Sequence, residues 1–245
     1  KLFNQILLIC HEDGLLGNEL FAIDGCKMSS DAAKEWSGTF DELDQKRKKL
    51  RKQIKRCMKE HKASDKRTVD GKEHARRLAQ KAETLNKAAK KIDEFLGSNE
   101  PRKGQGRQKK EVKSNITDNE SAKMTTSKGT IQGFNGVATV DSKYQVIVDA
   151  QAFGHGQEHH TLKPVVDKVK SRFTELGIKK NIFTPKGTVL TADTGFANEK
   201  NNEFMYKHGI NGYIPDNKFR SRRSEFSDQK VKYGKRKQEG KPKNP

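Results

Sequence analysis

Cysteine is scarce in this chain of 245 residues. Only Cys10, Cys26 and Cys57 occur, far apart and odd in number. No C-x-x-C spacing is available for a zinc ribbon, and no disulfide framework can use all three; a reducing, cytoplasmic setting is expected. Tryptophan occurs once, at Trp36, and proline six times. Long apolar runs are missing as well. The Ile6-Leu7-Leu8-Ile9-Cys10 stretch is too short to span a bilayer and runs straight into His11-Glu12-Asp13, and no secretory signal is visible. With 31% hydrophobic against 34% charged residues, a membrane protein is excluded. The Lys1 start and the lysine-rich end are what a piece of a longer protein would show.

Acid is the minority charge. Against 51 Lys/Arg stand 32 Asp/Glu, a formal net charge of +19. The surplus is concentrated: residues 41–113 hold 25 basic and 12 acidic side chains, and residues 217–245 hold 11 and 3. A nearly neutral body therefore carries two strongly basic additions, and a polyanion is the natural partner.

The apolar pattern divides the chain in the same way. Leu2 to Ile9 reads as a short helix, and Glu19 to Ile23 as a buried strand ending at Asp24-Gly25. Thr39 with Glu42 forms a capping box, so a helix should begin near Phe40. Its apolar residues Leu43, Leu50, Ile54 and Cys57 keep a coiled-coil-like rhythm, and after a polar break Leu78, Ala82, Leu85, Ala89, Ile92 and Leu96 repeat it up to Gly97. Two such segments joined by a short turn predict an antiparallel helical hairpin. Beyond a linker, Phe134–Val140 and Tyr144–Ala150 predict a strand hairpin. A helix carrying Leu162, Val165, Val169 and Phe173 follows, then a strand at Thr188–Ala192, a helix near Glu199–Lys207 and a last strand at Gly212–Ile214. With the helical hairpin set aside, the order is β-ββ-α-β-α-β, an α/β fold whose later strands should lie parallel. The expected organisation is a helix and first core strand (1–40), an inserted hairpin (41–97), a linker (98–130), the rest of the core (131–216) and a basic tail (217–245).

Two aspartates share one local context. Asp24 ends an apolar strand before Gly25, and Asp193 ends another, one residue before Gly195. In open α/β sheets, ligands collect beyond the carboxyl ends of the strands. If the two strands are neighbours, both carboxylates reach one crevice, and oxygen-only donors suit Mg²⁺, with Mn²⁺ as a substitute. The plain alternatives are that Asp24 is a turn residue and that Asp193 caps the next helix.

The local sequences bear on that choice. Phe21-Ala22-Ile23-Asp24-Gly25-Cys26-Lys27, with Lys34-Glu35-Trp36-Ser37-Gly38-Thr39, resembles the first-aspartate segment of bacterial insertion-sequence transposases of the Asp-Asp-Glu type. Gly133-Phe134-Asn135 and Val137-Ala138-Thr139-Val140-Asp141 resemble the strand pair that follows in that family. Gly156-Gln157-Glu158-His159 with Leu162-Lys163-Pro164 resembles its next helix. Thr191-Ala192-Asp193-Thr194-Gly195-Phe196, then Gly209-Ile210 and Gly212-Tyr213-Ile214-Pro215, resembles the second-aspartate block, with Phe196 in place of the more usual tyrosine. The resemblance implies a ribonuclease-H-like mixed sheet with helices, interrupted here by the basic helical hairpin. It further implies that Asp24 and Asp193 are catalytic and hold Mg²⁺ for nicking and strand transfer on double-stranded DNA, at transposon ends and at the target. A homo-oligomer associated with the bacterial nucleoid is the expected setting. The family's third acid, a glutamate on a helix after the last strand, has no match: Glu225 and Glu239 lie in the basic tail without apolar periodicity around them. The alternative from another class is a non-catalytic nucleic-acid-binding protein, or an inactive remnant that keeps fold and basic arm.

For the hairpin, Lys46, Lys48, Lys49, Arg51, Lys52, Lys55 and Arg56 are the candidate phosphate contacts, the alternative being that they only solvate a helix pair. In the tail, Arg220, Arg222 and Arg223, with Lys235, Arg236 and Lys237, are candidates of the same kind. His155, His159 and His160 cluster without any zinc-ligand spacing. Glu158 reads as a carboxylate favoured by the positive end of the following helix, with a catalytic role as the alternative. Trp36 reads as a loop anchor rather than a base-stacking group.

Overall fold

The computed structural model describes residues 1–64, 67–106, 108–179, 182–184, 187–216, 218–222 and 225. Its elements in chain order are α1 (Leu2–Glu12), β1 (Leu20–Ser29), β2 (Ser37–Gly38), α2 (Phe40–Ala63), α3 (Val69–Ser98), β3 (Ser114–Asn115) and β4 (Ala122–Thr126). There follow β5 (Gly129–Asp141), β6 (Ile147–Phe153), α4 (Leu162–Glu175), β7 (Val189–Ala192), α5 (Glu199–Lys207), β8 (Asn211–Tyr213) and the four-residue α6 (Phe219–Arg222). The chain packs as two units. One comprises residues 1–25, 137–151 and 157–245; the other comprises 26–136 and 152–156.

The first unit is a sheet with helices. β7 lies beside β1, and β8 beside β7, both parallel. The last part of β5 flanks β1 on the other side, where Ser142 N donates to Leu20 O over 3.0 Å, and β6 pairs with β5. Within this unit the strands and helices follow the expected order β-ββ-α-β-α-β, with single helices α4 and α5 bridging the parallel strands. The two-residue period decides what each strand buries. Phe21 and Ile23 of β1 and Leu190 of β7 are buried, while Ala22 and Asp24 of β1 are exposed. Onto that buried face α4 lays Leu162, Val165, Val166, Val169 and Phe173, a full helical stripe with no polar interruption. Phe21 meets Phe173 edge-on at a ring separation of 6.0 Å and Phe183 at 5.3 Å. Burial of side chains this large contributes about 1.5–3 kcal/mol each, and the aromatic pairs somewhat more.

Two buried carboxylates brace this unit. Asp141 accepts the backbone N–H of Gly17 (3.0 Å), Asn18 (2.7 Å) and Lys143 (2.9 Å), so one side chain ties the loop before β1 to the end of β5. Asp149 of β6 is completely buried and accepts from Arg172 Nη2 at 2.6 Å and from Gln151 Nε2 at 2.6 Å. Arg172 Nη1 also donates to Asn4 of α1 at 2.6 Å, which links α1, β6 and α4 through one guanidinium.

The second unit contains the helical hairpin. Thr39 Oγ1 accepts from Glu42 N at 3.2 Å and Glu42 Oε2 from Thr39 N at 3.0 Å, the complete capping box that its sequence predicts. Thr68 caps α3 through Gly71 N at 3.1 Å. Leu43 packs with Ile92 and Phe95 near one end, and Cys57 packs with Leu78 and Ala82 further along. That pairing of early α2 with late α3 makes the helices antiparallel. Asp93 of α3 receives Arg47 Nη1 (2.7 Å) and Arg51 Nη2 (2.6 Å) from α2, and the Arg47 hydrogen bond, with Arg51 after it, holds its carboxyl below the usual aspartate range.

Two readings of the sequence change here. β1 does not end at Asp24 but continues through Gly25 to Ser29, because the backbone stays extended and goes on pairing with the start of β5, where Ser30 N donates to Gln132 O at 3.0 Å. The stretch 98–130 also holds structure: β3 pairs with β2, and β4 pairs antiparallel with β5 from Ala122↔Gly133 to Thr126↔Gly129. β4 buries only Met124, so it carries no apolar pattern to read. Among the described residues no helix is long and apolar enough to cross a membrane.

Arg172→Met should destabilise the chain by about 3–5 kcal/mol, since it strands the buried Asp149 charge. Urea denaturation at neutral pH measures this; an unchanged midpoint would show that the ion pair is structurally idle.

Candidate functional site

The parallel register of β1 and β7 pairs Leu20 with Val189, Phe21 with Leu190, Ala22 with Thr191 and Ile23 with Ala192. The next position on each strand line is an aspartate, Asp24 and Asp193. Registered partners in a parallel pair project to the same side, so the two carboxylates leave the sheet on the face opposite Phe21 and Leu190. Both residues are exposed. Asp24 Oδ1 accepts its neighbour Gly25 N at 2.7 Å, and Asp193 Oδ1 accepts Gly195 N at 2.8 Å at the start of a short 3₁₀ turn, Thr194–Phe196. Among the described residues, the second oxygen of each makes no hydrogen bond.

Another carboxylate, from a different element, lies against the glycines that follow the aspartates. Glu158 lies in the 3₁₀ turn Glu158–His160 that leads into α4. A Cβ on Gly25 would meet Glu158 Oε1 at 3.1 Å. A Cβ on Gly195 would lie 2.1 Å from Glu158 Oε2 and 3.0 Å from Asp193 Oδ1. Glu158 therefore occupies the room that the two glycines beside the aspartates leave open, and a side chain at position 195 would have to displace the Glu158 carboxylate.

Two asparagines fasten this arrangement. Asn201 Nδ2 donates to His159 O at 2.9 Å and to Phe196 O at 2.7 Å, and Asn198 Nδ2 donates to His159 O at 3.2 Å. Asn198 Oδ1 in turn caps α5 by accepting Asn201 N at 2.7 Å. The turn that carries Glu158 and the turn that follows Asp193 are thus stapled together at the start of α5. Sequence reasoning passed over both asparagines; the available signal was Asn198 standing just before the expected helix, at a cap position.

Among the described residues, no group of three His, Cys, Asp or Glu side chains stands ready-made to hold a metal ion. That statement covers the clustered histidines, of which His159 and His160 lie with ring centres 4.0 Å apart and ring planes tilted by 54°. Trp36 is partly buried against the Leu43–Ile92–Phe95 cluster, the place of an anchor.

The candidate phosphate contacts divide into two kinds. Lys46 Nζ donates to Glu35 O at 2.7 Å and sits 4.2 Å above the Trp36 ring, and burial lowers its pKa. Lys48 pairs with Asp44 at 2.7 Å, Arg51 with Asp93 at 2.6 Å and Arg56 with Glu60 at 2.7 Å. Lys49, Lys52 and Lys55 are exposed and have no acidic partner among the described residues. Arg222 pairs with Asp216, whose carboxyl it holds below the usual range. The side chain of Arg220, and Arg223, Lys235, Arg236, Lys237 and Glu239 entirely, lie outside the described residues.

Comparison with known families decides the broader identity. The family described as "Transposase DDE domain" matches residues 101–245, more than half of the chain. The chain belongs to the transposase DDE-domain family. The mixed α/β architecture of this transposase domain is the ribonuclease-H-like one that its sequence resemblance implies. Asp193 and Glu158 lie within the matched stretch, and Asp24 precedes it. Transposases of this family act on DNA and use divalent metal ions. No curated protein and no solved structure matches the chain.

Asn201→Leu should cost about 1–3 kcal/mol for each carbonyl it leaves unpaired in the stapled turns. Thermal or urea unfolding at pH 7 measures the loss; a variant as stable as the parent would show that the staple contributes nothing.

Proposed function

We propose that this transposase domain nicks and joins double-stranded DNA at insertion-sequence ends, with Asp24 and Asp193 as the metal-holding pair. The observation that carries the reading is the register of β1 and β7, which brings two carboxylates 169 positions apart in sequence to adjacent places on one sheet face. The donor set fits the group: hard oxygens without thiolate or imidazole suit Mg²⁺, and Mn²⁺ can replace it. Bound there, such ions would supply Lewis acidity at the scissile phosphate and at the attacking water or 3′-hydroxyl. The chain's own part is to hold that pair rigidly: Asp193 is oriented by Gly195 N, Asp24 by Gly25 N, and the strands beneath are locked by the Phe21–Phe173–Phe183 packing.

DNA would be held by the basic additions. Lys49, Lys52 and Lys55 can neutralise phosphates without first breaking an internal ion pair, whereas Lys48, Arg51 and Arg56 must exchange a carboxylate partner. Such contacts position the duplex without reading its sequence. Pairing of two transposon ends calls for a homo-oligomer, and the bacterial nucleoid is the setting that fits the substrate. The second reading, a DNA-binding remnant without chemistry, is favoured by one observation: no ready-made triad of ligands stands among the described residues.

Supercoiled plasmid incubated with the chain and Mg²⁺ should convert to open circles, and Asp24→Asn or Asp193→Asn should abolish the conversion while leaving DNA retention intact. Binding without metal-dependent nicking would overturn the enzymatic reading in favour of the remnant. For the hairpin, replacing Lys49, Lys52 and Lys55 together by glutamine should flatten the plot of log affinity against log salt by about 0.9 for each phosphate that is no longer neutralised. An unchanged slope would place the DNA elsewhere.

A further inference from the structure

We propose that duplex DNA lies along one face of α2, the face turned away from α3, on a stripe formed by Lys52, Lys55, Lys59 and Lys62. This rests on the reading of the hairpin as a DNA-holding addition. At 3.6 residues per turn, positions three and four apart recur on one side of a helix, so Lys48, Lys52, Lys55, Lys59 and Lys62 fall within an arc of about 80°. From Lys48 to Lys62, every residue of α2 inside that arc is a lysine. The other side of the helix is committed to the seam with α3, where Leu43 packs with Ile92 and Phe95, and Cys57 with Leu78 and Ala82. Lys48 is engaged by Asp44 at 2.7 Å. Lys52, Lys55, Lys59 and Lys62 are exposed and have no acidic partner among the described residues.

The back of α3 shows what a merely solvated face looks like. There Arg77 pairs with Glu73, Lys87 with Glu83 at 2.8 Å and Lys90 with Glu94 at 3.7 Å, so cations alternate with acids and neutralise one another. The flanks of α2 behave in the same way, Arg56 taking Glu60 and Arg51 taking Asp93. Like charges three and four residues apart destabilise a helix, and an acid set between them removes that penalty. The stripe from Lys52 to Lys62 contains no such acid, and its charge stays available to an external anion. The row is about 15 Å long at 1.5 Å per residue. A duplex presents one phosphate per about 1.7 Å of its axis, so a straight row of that length can face several at once. Single-stranded DNA would call for aromatic platforms on which bases stack. The stripe offers lysines alone, and Phe40, the one Phe, Tyr or Trp of α2, is packed in the Leu43 cluster at the start of the helix.

Two variants of the full chain with equal loss of charge test this, by titration of a labelled duplex oligonucleotide over a range of salt concentrations without divalent cations. Lys52→Gln, Lys55→Gln, Lys59→Gln and Lys62→Gln together should weaken binding and flatten the plot of log affinity against log salt by about 0.9 for each phosphate released, up to about 3.6 for all four. Arg76→Gln, Arg77→Gln, Lys87→Gln and Lys90→Gln together, on the back of α3, should change the slope by less than about 0.9. Arginine at the same four α2 positions should restore the parental slope. Equal flattening in both glutamine variants would show that net charge and not the α2 face governs retention, which overturns the proposal and leaves the hairpin as the DNA-holding part. Parental slopes in both would overturn that reading along with the proposal. Tighter binding of the parent to a single-stranded oligonucleotide of the same length would reject the duplex as occupant. Should the fourfold α2 variant lose its cooperative urea transition, Lys55→Gln with Lys59→Gln decides: the slope should flatten by up to about 1.8, and a parental slope there would reject the proposal.

Discussion

The parallel pairing of β1 with β7 is the constraint on which the remaining features depend. Register in a parallel pair is set by which side chains must be buried, since a slip of one residue turns every side chain to the other face. Phe21 and Ile23 on one strand and Leu190 on the other require the inward face. With those three fixed, Asp24 and Asp193 have no choice but to emerge side by side on the outward one. Hydrophobic burial, which has no chemical interest in a carboxylate, thus determines where the acids stand.

Placing like charges together costs energy, and the fold meets that cost locally. Each aspartate takes one backbone N–H onto Oδ1, which fixes the orientation of its side chain. The glycines that follow them leave room for Glu158, and Asn201 fixes that room at a set width. The buried carboxylates Asp141 and Asp149 show the contrasting solution. There the negative charge is consumed internally, by three amides in one case and by a guanidinium and an amide in the other, and nothing is left for a ligand. The same division runs through the basic hairpin, where Arg47 and Arg51 spend their charge on Asp93 while Lys49, Lys52 and Lys55 keep theirs.

Much of this was legible from residues alone, where the signal was local. The Thr39–Glu42 capping box, the apolar stripes of α2, α3 and α4, and the β-ββ-α-β-α-β order each rest on spacings within a few turns or strands. The i, i+4 acid–base pairs Asp44–Lys48 and Arg56–Glu60 could likewise have been read from spacing, and would have removed two residues from the free phosphate contacts. What failed was tertiary or conformational. Asp24-Gly25 looks like a turn, yet continued pairing carries β1 through it to Ser29. β4 has one buried side chain and no alternation, so its backbone hydrogen bonds alone define it. Glu158 resembles an ordinary helix-start acid until the chain folds Gly25 and Gly195 against it. The bond from Arg51 to Asp93 crosses the hairpin and leaves no trace in either helix by itself.

The central claim is that one divalent-metal site joins Asp24, within β1, and Asp193, at the end of β7. Crystals of this chain soaked in Mn²⁺ and measured near the manganese absorption edge test it most directly. The account predicts an anomalous peak bridged by carboxylate oxygens of Asp24 and Asp193. A well-ordered Asp24–Asp193 edge without such a peak, at Mn²⁺ concentrations that populate sites elsewhere, would contradict it.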